Sequence, residues 1–260
     1  MLILQLQNDP GLGHCNRMIR LQKFKLSQNQ SSIILVPNLK EMILYLQNNN
    51  IHSILKYDRF LSPGELITLV DKFVGLKQIE EWVIDTKSDC SDLLRILKEK
   101  KITSTLVDNA TDSRLISDKN IYPTPLFNKN DMNWKGYTGI IEGGLEVMNK
   151  FVNLPERRSN FKKNIPRILI SFGGEDPNEL TIHIMKCLKN LDAYIKILIV
   201  IGPFFKHRNQ IKDLNSDLGD RFELLENSYD LSNDIFTADF LITAIGTTLF
   251  EAIAIKKSCI

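Results

Sequence analysis

Near the start of the chain a histidine follows two closely spaced glycines, in Gly11-Leu12-Gly13-His14. Gly11 and Gly13 let the backbone come close to a ligand, and His14 falls at the opening turn of a helix. The helix dipole there disfavours an imidazolium. A neutral imidazole accepts a proton, so His14 is a candidate general base, a role worth roughly 10²- to 10⁴-fold in rate. A helix-capping or solvent-facing histidine is the competing assignment, and spacing alone favours it. Asp85 and Asp108 each close an apolar run that reads as a strand. Open α/β sheets gather ligands at such strand ends, where either carboxylate can orient His14 or bind a sugar hydroxyl.

Two further turns carry groups suited to phosphate. Ser171-Phe172-Gly173-Gly174 ends one apolar run and Ala244-Ile245-Gly246-Thr247-Thr248 ends another. Both precede helices, whose N-termini bind anions through free N–H groups. Gly173 and Gly174 can offer N–H groups to a diphosphate, and Thr247 and Thr248 can offer hydroxyls and N–H groups to a phosphate. Glu251 stands three residues past Thr248, on the same helix face, where it can accept both hydroxyls of a ribose. A charged hydrogen bond of that kind contributes about 1.5–3 kcal/mol. The competing assignment is a capping box, with Thr248 as N-cap and Glu251 at N3. Asp176 or Asn178 can cap the helix after the double glycine.

Several other chemistries do not fit. The first turn lacks the third glycine of a dinucleotide fingerprint, since Asn16 and Arg17 stand there, and Gln30 occupies the region of the ribose acid. No Gly-Lys-Ser/Thr follows, so it is not a Walker loop. No Asp-x-Asp pair follows a strand, so a metal holding a diphosphate is not indicated. His52, His183 and His207 read as surface residues and Trp82 as core.

These residues need a scaffold, and the hydrophobic pattern supplies one. Strands are expected at 2–6, 33–36, 51–56, 81–86 and 102–108, alternating with helices at 14–25, 39–47, 62–73 and 91–100. Ser62, Pro63 and Glu65 form a strong helix start, as N-cap, N1 and N3. From 109 to 135 the pattern loosens into a long irregular stretch, followed by a strand at 137–141 and a helix at 145–151. After 166 the alternation resumes, with strands at 167–172, 194–201, 222–225 and 240–244 and helices at 178–188, 206–214, 231–238 and 248–255. A further strand should begin at Ser258-Cys259-Ile260, so the second domain reads as truncated. The expected division is an N-terminal domain at 1–152, a linker at 153–166 and a C-terminal domain at 167–260. The linker's Arg157, Arg158, Lys162 and Lys163 suit contact with an anionic membrane surface, although a solvated linker is the favoured reading.

A net charge of +2 over 260 residues gives no basic field for nucleic acid. No apolar run reaches membrane-span length and no secretory signal opens the chain. The four cysteines, Cys15, Cys90, Cys187 and Cys259, lack metal-ligand spacing and read as reduced thiols of a cytoplasmic protein.

Six stretches together resemble the GT-B superfamily of nucleotide-sugar enzymes: GLGHCNR (11–17), WVIDT (82–86), LVDN (106–109), RILISFGGEDPNELT (167–181), IVIG (199–202) and ADFLITAIGTTLFEA (238–252). Within it the chain is similar to the UDP-sugar hydrolase of pseudaminic acid biosynthesis and to spore-coat polysaccharide proteins, relatives of the peptidoglycan N-acetylglucosaminyltransferase. The resemblance implies two Rossmann-like, doubly wound domains facing across a cleft. It implies UDP on the C-terminal domain, with Gly173 and Gly174 near the diphosphate, Thr247 and Thr248 on phosphate, and Glu251 on ribose. It implies His14 as the base that activates water at the anomeric carbon. UDP and a free sugar would then be released with inversion, without metal or added cofactor. The chain departs from the hydrolase pattern at Asp85-Thr86-Lys87, at 144–148 and at Ile245-Gly246-Thr247-Thr248, sites that bear on the sugar. An inverting glycosyltransferase, or a non-catalytic sugar-nucleotide binder, are the alternatives.

Overall fold

A computed structural model describes residues 1–6, 12–144, 147, 165–191, 194–202, 204–226 and 231–260. The chain divides into two compact units, Met1–Pro10 with His14–Phe151 and Gly11–Gly13 with Val152–Ile260. The expected helix at 145–151, nearly all of the expected linker, and its basic cluster lie outside the described residues.

The first unit is built on a seven-stranded, wholly parallel sheet. Its strands are β1 (Leu2–Leu6), β2 (Ser32–Pro37), β3 (Ile54–Tyr57), β4 (Glu81–Asp85), β5 (Thr103–Val107), β6 (Lys119–Tyr122) and β7 (Ile140–Gly143). They lie in the order β3-β2-β1-β4-β5-β6-β7. The helices are α1 (Leu12–Ser27), α2 (Lys40–Asn48), α3 (Pro63–Val74) and α4 (Ser91–Glu99). Parallel strands are covered on both faces, hence near-continuous apolar runs such as Leu2–Leu6. Alternation then sorts the side chains. Ile3, Leu35, Trp82, Ile84 and Leu106 join Leu66, Val70, Leu94 and Leu97 of α3 and α4 in one core. Val83 and Asp85 therefore point to the opposite face of β4. Trp82 is fully buried, with its indole N–H donated to Gln5 Oε1 at 2.8 Å. Ser62 and Glu65 make the reciprocal capping box at the start of α3.

The expected irregular stretch from 109 to 135 contains a strand, β6. Its Asn120 is buried and donates to the Arg114 carbonyl at 2.8 Å, while Tyr122 donates to the Asn109 carbonyl at 2.6 Å. Four residues held by such polar contacts carry too little apolar periodicity to be read as a strand. The next strand, β7, begins three residues later than expected. Phe127 stacks on Tyr122 and would meet a Cβ at Gly143, so the end of β7 needs a glycine.

The second unit carries a four-stranded parallel sheet of β8 (Arg167–Ser171), β9 (Lys196–Ile201), β10 (Glu223–Glu226) and β11 (Phe240–Thr243), in the order β10-β9-β8-β11. Its helices are α5 (Leu180–Leu188), α6 (Arg208–Asp217), α7 (Ser232–Thr237) and α8 (Thr247–Ala254). Ile170, Ile197, Ile199 and Ile201 pack with Ile182 and Met185 of α5 and Ile211 of α6. Leu169, Leu198 and Leu241 pack with Ile235 of α7 and Ala252 of α8. Cys259 pairs with Leu241 in parallel, backed by hydrogen bonds from Leu241 N–H to Ser258 and from Thr243 N–H to Ile260. The last residues thus add to β11, where a further strand was expected.

Candidate functional site

Both sheets change winding direction once. In the first unit the reversal lies between β1 and β4, and in the second between β8 and β11. Crevices beyond the C-terminal ends of such strand pairs are where open α/β sheets hold ligands. The connection after β1 leads to His14, β4 ends on Asp85, and β8 and β11 lead into the two other glycine turns.

Helix α1 opens at Leu12, so Gly13 and His14 lie inside its first turn, with the first unit resuming at His14; Gly11 is outside the described residues. His14 Nδ1 lies 2.5 Å from Asp85 Oδ1. Asp85 is fully buried and the His14 side chain is 12% exposed. Arg17, one turn along α1, donates from Nε to Asp85 Oδ2 and from a terminal nitrogen to Oδ1, both at 2.8 Å. Its other terminal nitrogen is 3.4 Å from Asp108 Oδ2. Asp108 sits beyond β5 at φ +57°, a left-handed conformation that Asp tolerates better than most residues.

The electrostatics are one-sided. Burial alone would raise the Asp85 carboxyl. The Arg17 guanidinium beside it, with hydrogen bonds from Arg17 and His14, outweighs burial and holds it below the ordinary carboxylate range. An ionised Asp85 only accepts, so the His14 contact is Nδ1–H donating to Oδ1. Nε2 is then left with its lone pair, and it has no partner among the described residues. Burial pushes the neighbouring Cys15 thiol up to about 12, which keeps it neutral. Of the two aspartates expected to serve His14, Asp85 does so directly and Asp108 through Arg17. Arg17 itself had no expected role; its one signal in the sequence is the i,i+3 spacing from His14 on a helix.

In the second unit the two turns lie side by side, because Thr243 pairs with Ser171 across β11 and β8. Gly173 adopts φ +85°, open to glycine and strained for other residues. A Cβ at Gly202, which follows β9, would lie 2.4 Å from the Gly174 carbonyl oxygen, so the double-glycine turn rests on a third glycine. The N–H groups of Gly173 and Gly174 have no partner among the described residues. Asp176 caps α5, accepting from the N–H groups of Leu180 and Thr181 at 2.9 and 2.8 Å. The N-terminus of α8 has no such cap. Its N-cap is Gly246, with no side-chain hydrogen bond. Thr247 and Thr248 are then the first two helical residues, and Glu251 lies in the second turn, 7% exposed. The alternative capping box, Thr248 with Glu251, is not formed. His52 and His183 are exposed as expected, whereas His207 is half-buried and 3.3 Å from Glu179.

No protein-family model matches the chain. An uncharacterised protein of Methanocaldococcus jannaschii is 29% identical over 113 residues, 42% of this chain and 23% of that protein, so the chain spans under a quarter of its length. The spore coat polysaccharide biosynthesis protein SpsG of Bacillus subtilis is 22% identical over 260 residues, 97% of this chain and 73% of SpsG. Among solved structures, S. aureus MnaA with UDP superposes at a TM-score of 0.61 and 14% identity, covering 99% of this chain and 78% of MnaA. A Rickettsia africae glycosyltransferase gives 0.59 and 16%, covering 99% and 78%. Anabaena HepE in complex with UDP-glucose gives 0.59 and 13%, covering 100% and 79%. At these identities the likeness is one of architecture, and the chain has the GT-B fold.

Proposed function

We propose that this chain is a nucleotide-sugar enzyme that hydrolyses the anomeric C–O bond of a UDP-linked amino or deoxy sugar, in surface polysaccharide or nonulosonic acid biosynthesis. The observation that carries the reading is the hydrogen bond from His14 Nδ1–H to buried Asp85, which leaves Nε2 as a proton acceptor. In this reading Nε2 takes a proton from water as the oxygen bonds to the anomeric carbon. The C–O bond to UDP breaks, its electron pair leaves with the diphosphate, and the sugar is released inverted. Gly173, Gly174, Gly246, Thr247 and Thr248 hold the diphosphate, and Glu251 holds the ribose. Support for UDP comes from the unpartnered N–H groups of the double-glycine turn, the uncapped start of α8, and the UDP and UDP-glucose in the MnaA and HepE structures.

Transfer of the sugar to an acceptor hydroxyl by the same base is the second reading, favoured by the likeness to the Rickettsia glycosyltransferase. The test is release of UDP from a panel of UDP-sugars without acceptor. Hydrolysis predicts turnover that falls roughly 10²- to 10⁴-fold in His14→Ala, with UDP binding retained. Turnover that appears only when an acceptor is added overturns hydrolysis in favour of transfer. UDP binding without turnover under either condition overturns both.

A further inference from the structure

All three nitrogens of the Arg17 guanidinium face carboxylates, and the side chain is 12% exposed. One of them also lies 3.0 Å from His14 Nδ1. That nitrogen of the imidazole has a single in-plane position, already used to donate to Asp85, so it does not accept from Arg17. Arg17 therefore acts on His14 through Asp85. It grips both Asp85 oxygens in the two-point geometry that a guanidinium matches and an ammonium does not. Were Asp85 free to rotate or to take a proton, His14 would lose the partner that fixes its tautomer.

Asp108 holds the remaining terminal nitrogen of Arg17 from beyond β5, at 3.4 Å, so the guanidinium is fixed from the ends of two neighbouring strands.

We infer that Arg17 and Asp108 are positioning residues for His14. Arg17 clamps Asp85 so that His14 keeps the Nδ1–H tautomer, and Asp108 braces the remaining terminal nitrogen of the Arg17 guanidinium. The kinetic side of this inference rests on the proposed role of His14 as base; the tautomer side does not.

The experiment is nitrogen NMR of the full chain labelled at its four histidines, with His14 identified by the signal lost in His14→Ala. Expected is a single Nδ1–H tautomer in the wild type and a mixture of tautomers in Arg17→Met. In Asp108→Ala, which releases one terminal nitrogen of Arg17, a smaller share of the other tautomer should appear. In parallel, kcat of Arg17→Met should fall by about 100-fold with KM little changed, and Asp108→Ala should show a smaller fall in kcat. Arg17→Lys keeps the charge but cannot hold both Asp85 oxygens. It should show an intermediate tautomer mixture and partial recovery of kcat, and it carries the test if Arg17→Met does not fold. An unchanged tautomer in the Arg17 variants overturns the inference, and an unchanged tautomer and kcat in Asp108→Ala overturn its Asp108 part. The NMR changes without turnover of any UDP-sugar would sustain it while sinking the proposed function.

Discussion

Asp85 is the residue on which the first unit's site turns. Its carboxyl is lower in the folded chain than in the unfolded one, since Arg17 and His14 outweigh the effect of burial. Such a group adds stability at every pH above its unfolded value, about 3.9, and loses that contribution as pH falls through the folded value. Replacing Asp85 by Asn leaves the Arg17 charge without its closest partner, a change that typically costs about 3–5 kcal/mol. Urea unfolding near neutral pH should show that loss, and the gap from wild type should narrow in acid as the wild-type carboxyl takes a proton. A gap of constant size would mean that shape, not charge, is what Asp85 contributes. His14 and Asp85 were legible in the sequence because residue type and position at a strand end suffice to nominate them. Arg17 was not, because Asp85 lies 68 residues away and only the fold brings the two together.

At the level of elements, the fold needs Gly173 and Gly202 of the second unit but not Gly246. Gly173 sits at φ +85°, and Gly202 has no room for a Cβ against the Gly174 carbonyl. Gly246 is extended, and a methyl added there would meet nothing within 4 Å. Gly173→Ala and Gly202→Ala should each cost on the order of 1–3 kcal/mol and lower Tm. Gly246→Ala should leave Tm in place and weaken UDP, because the added methyl stands where a phosphate would approach the start of α8. Thermal unfolding and UDP titration of the three variants check this; full UDP affinity in Gly246→Ala would remove that turn from the nucleotide site. Long apolar strands such as β1 and β9, and the helix with its Ser62-Pro63-Glu65 start, were readable because their stability is local or periodic. β6 was not, because buried Asn120 and the carbonyls of Asn109 and Arg114 hold it through contacts that leave no period in the sequence. The choice of Gly246 rather than Thr248 as N-cap was equally hidden, since both assignments satisfy the same spacing.

For the whole molecule, each unit has its own sheet and its own core, and both tryptophans, Trp82 and Trp134, belong to the first. Tryptophan fluorescence therefore follows unfolding of the first unit, while far-UV circular dichroism follows both. UDP at a hundred times its Kd should stabilise the unit that binds it by about 2.7 kcal/mol. The expected result is a shift of the dichroism transition with the fluorescence transition left in place; an equal shift in both would show that the two units unfold as one. No helix among the described residues is long and apolar enough to cross a membrane. The strand order also sets a timetable. β1 is made before β2 and β4 but lies between them, so one of its edges stays open until β4 has been translated. Asp85 follows His14 by 71 residues, which a ribosome adding ~5–20 residues per second makes in about 4–14 s. During that interval the nascent His14 is without Asp85, yet the pair can close before any residue of β8 has been synthesised.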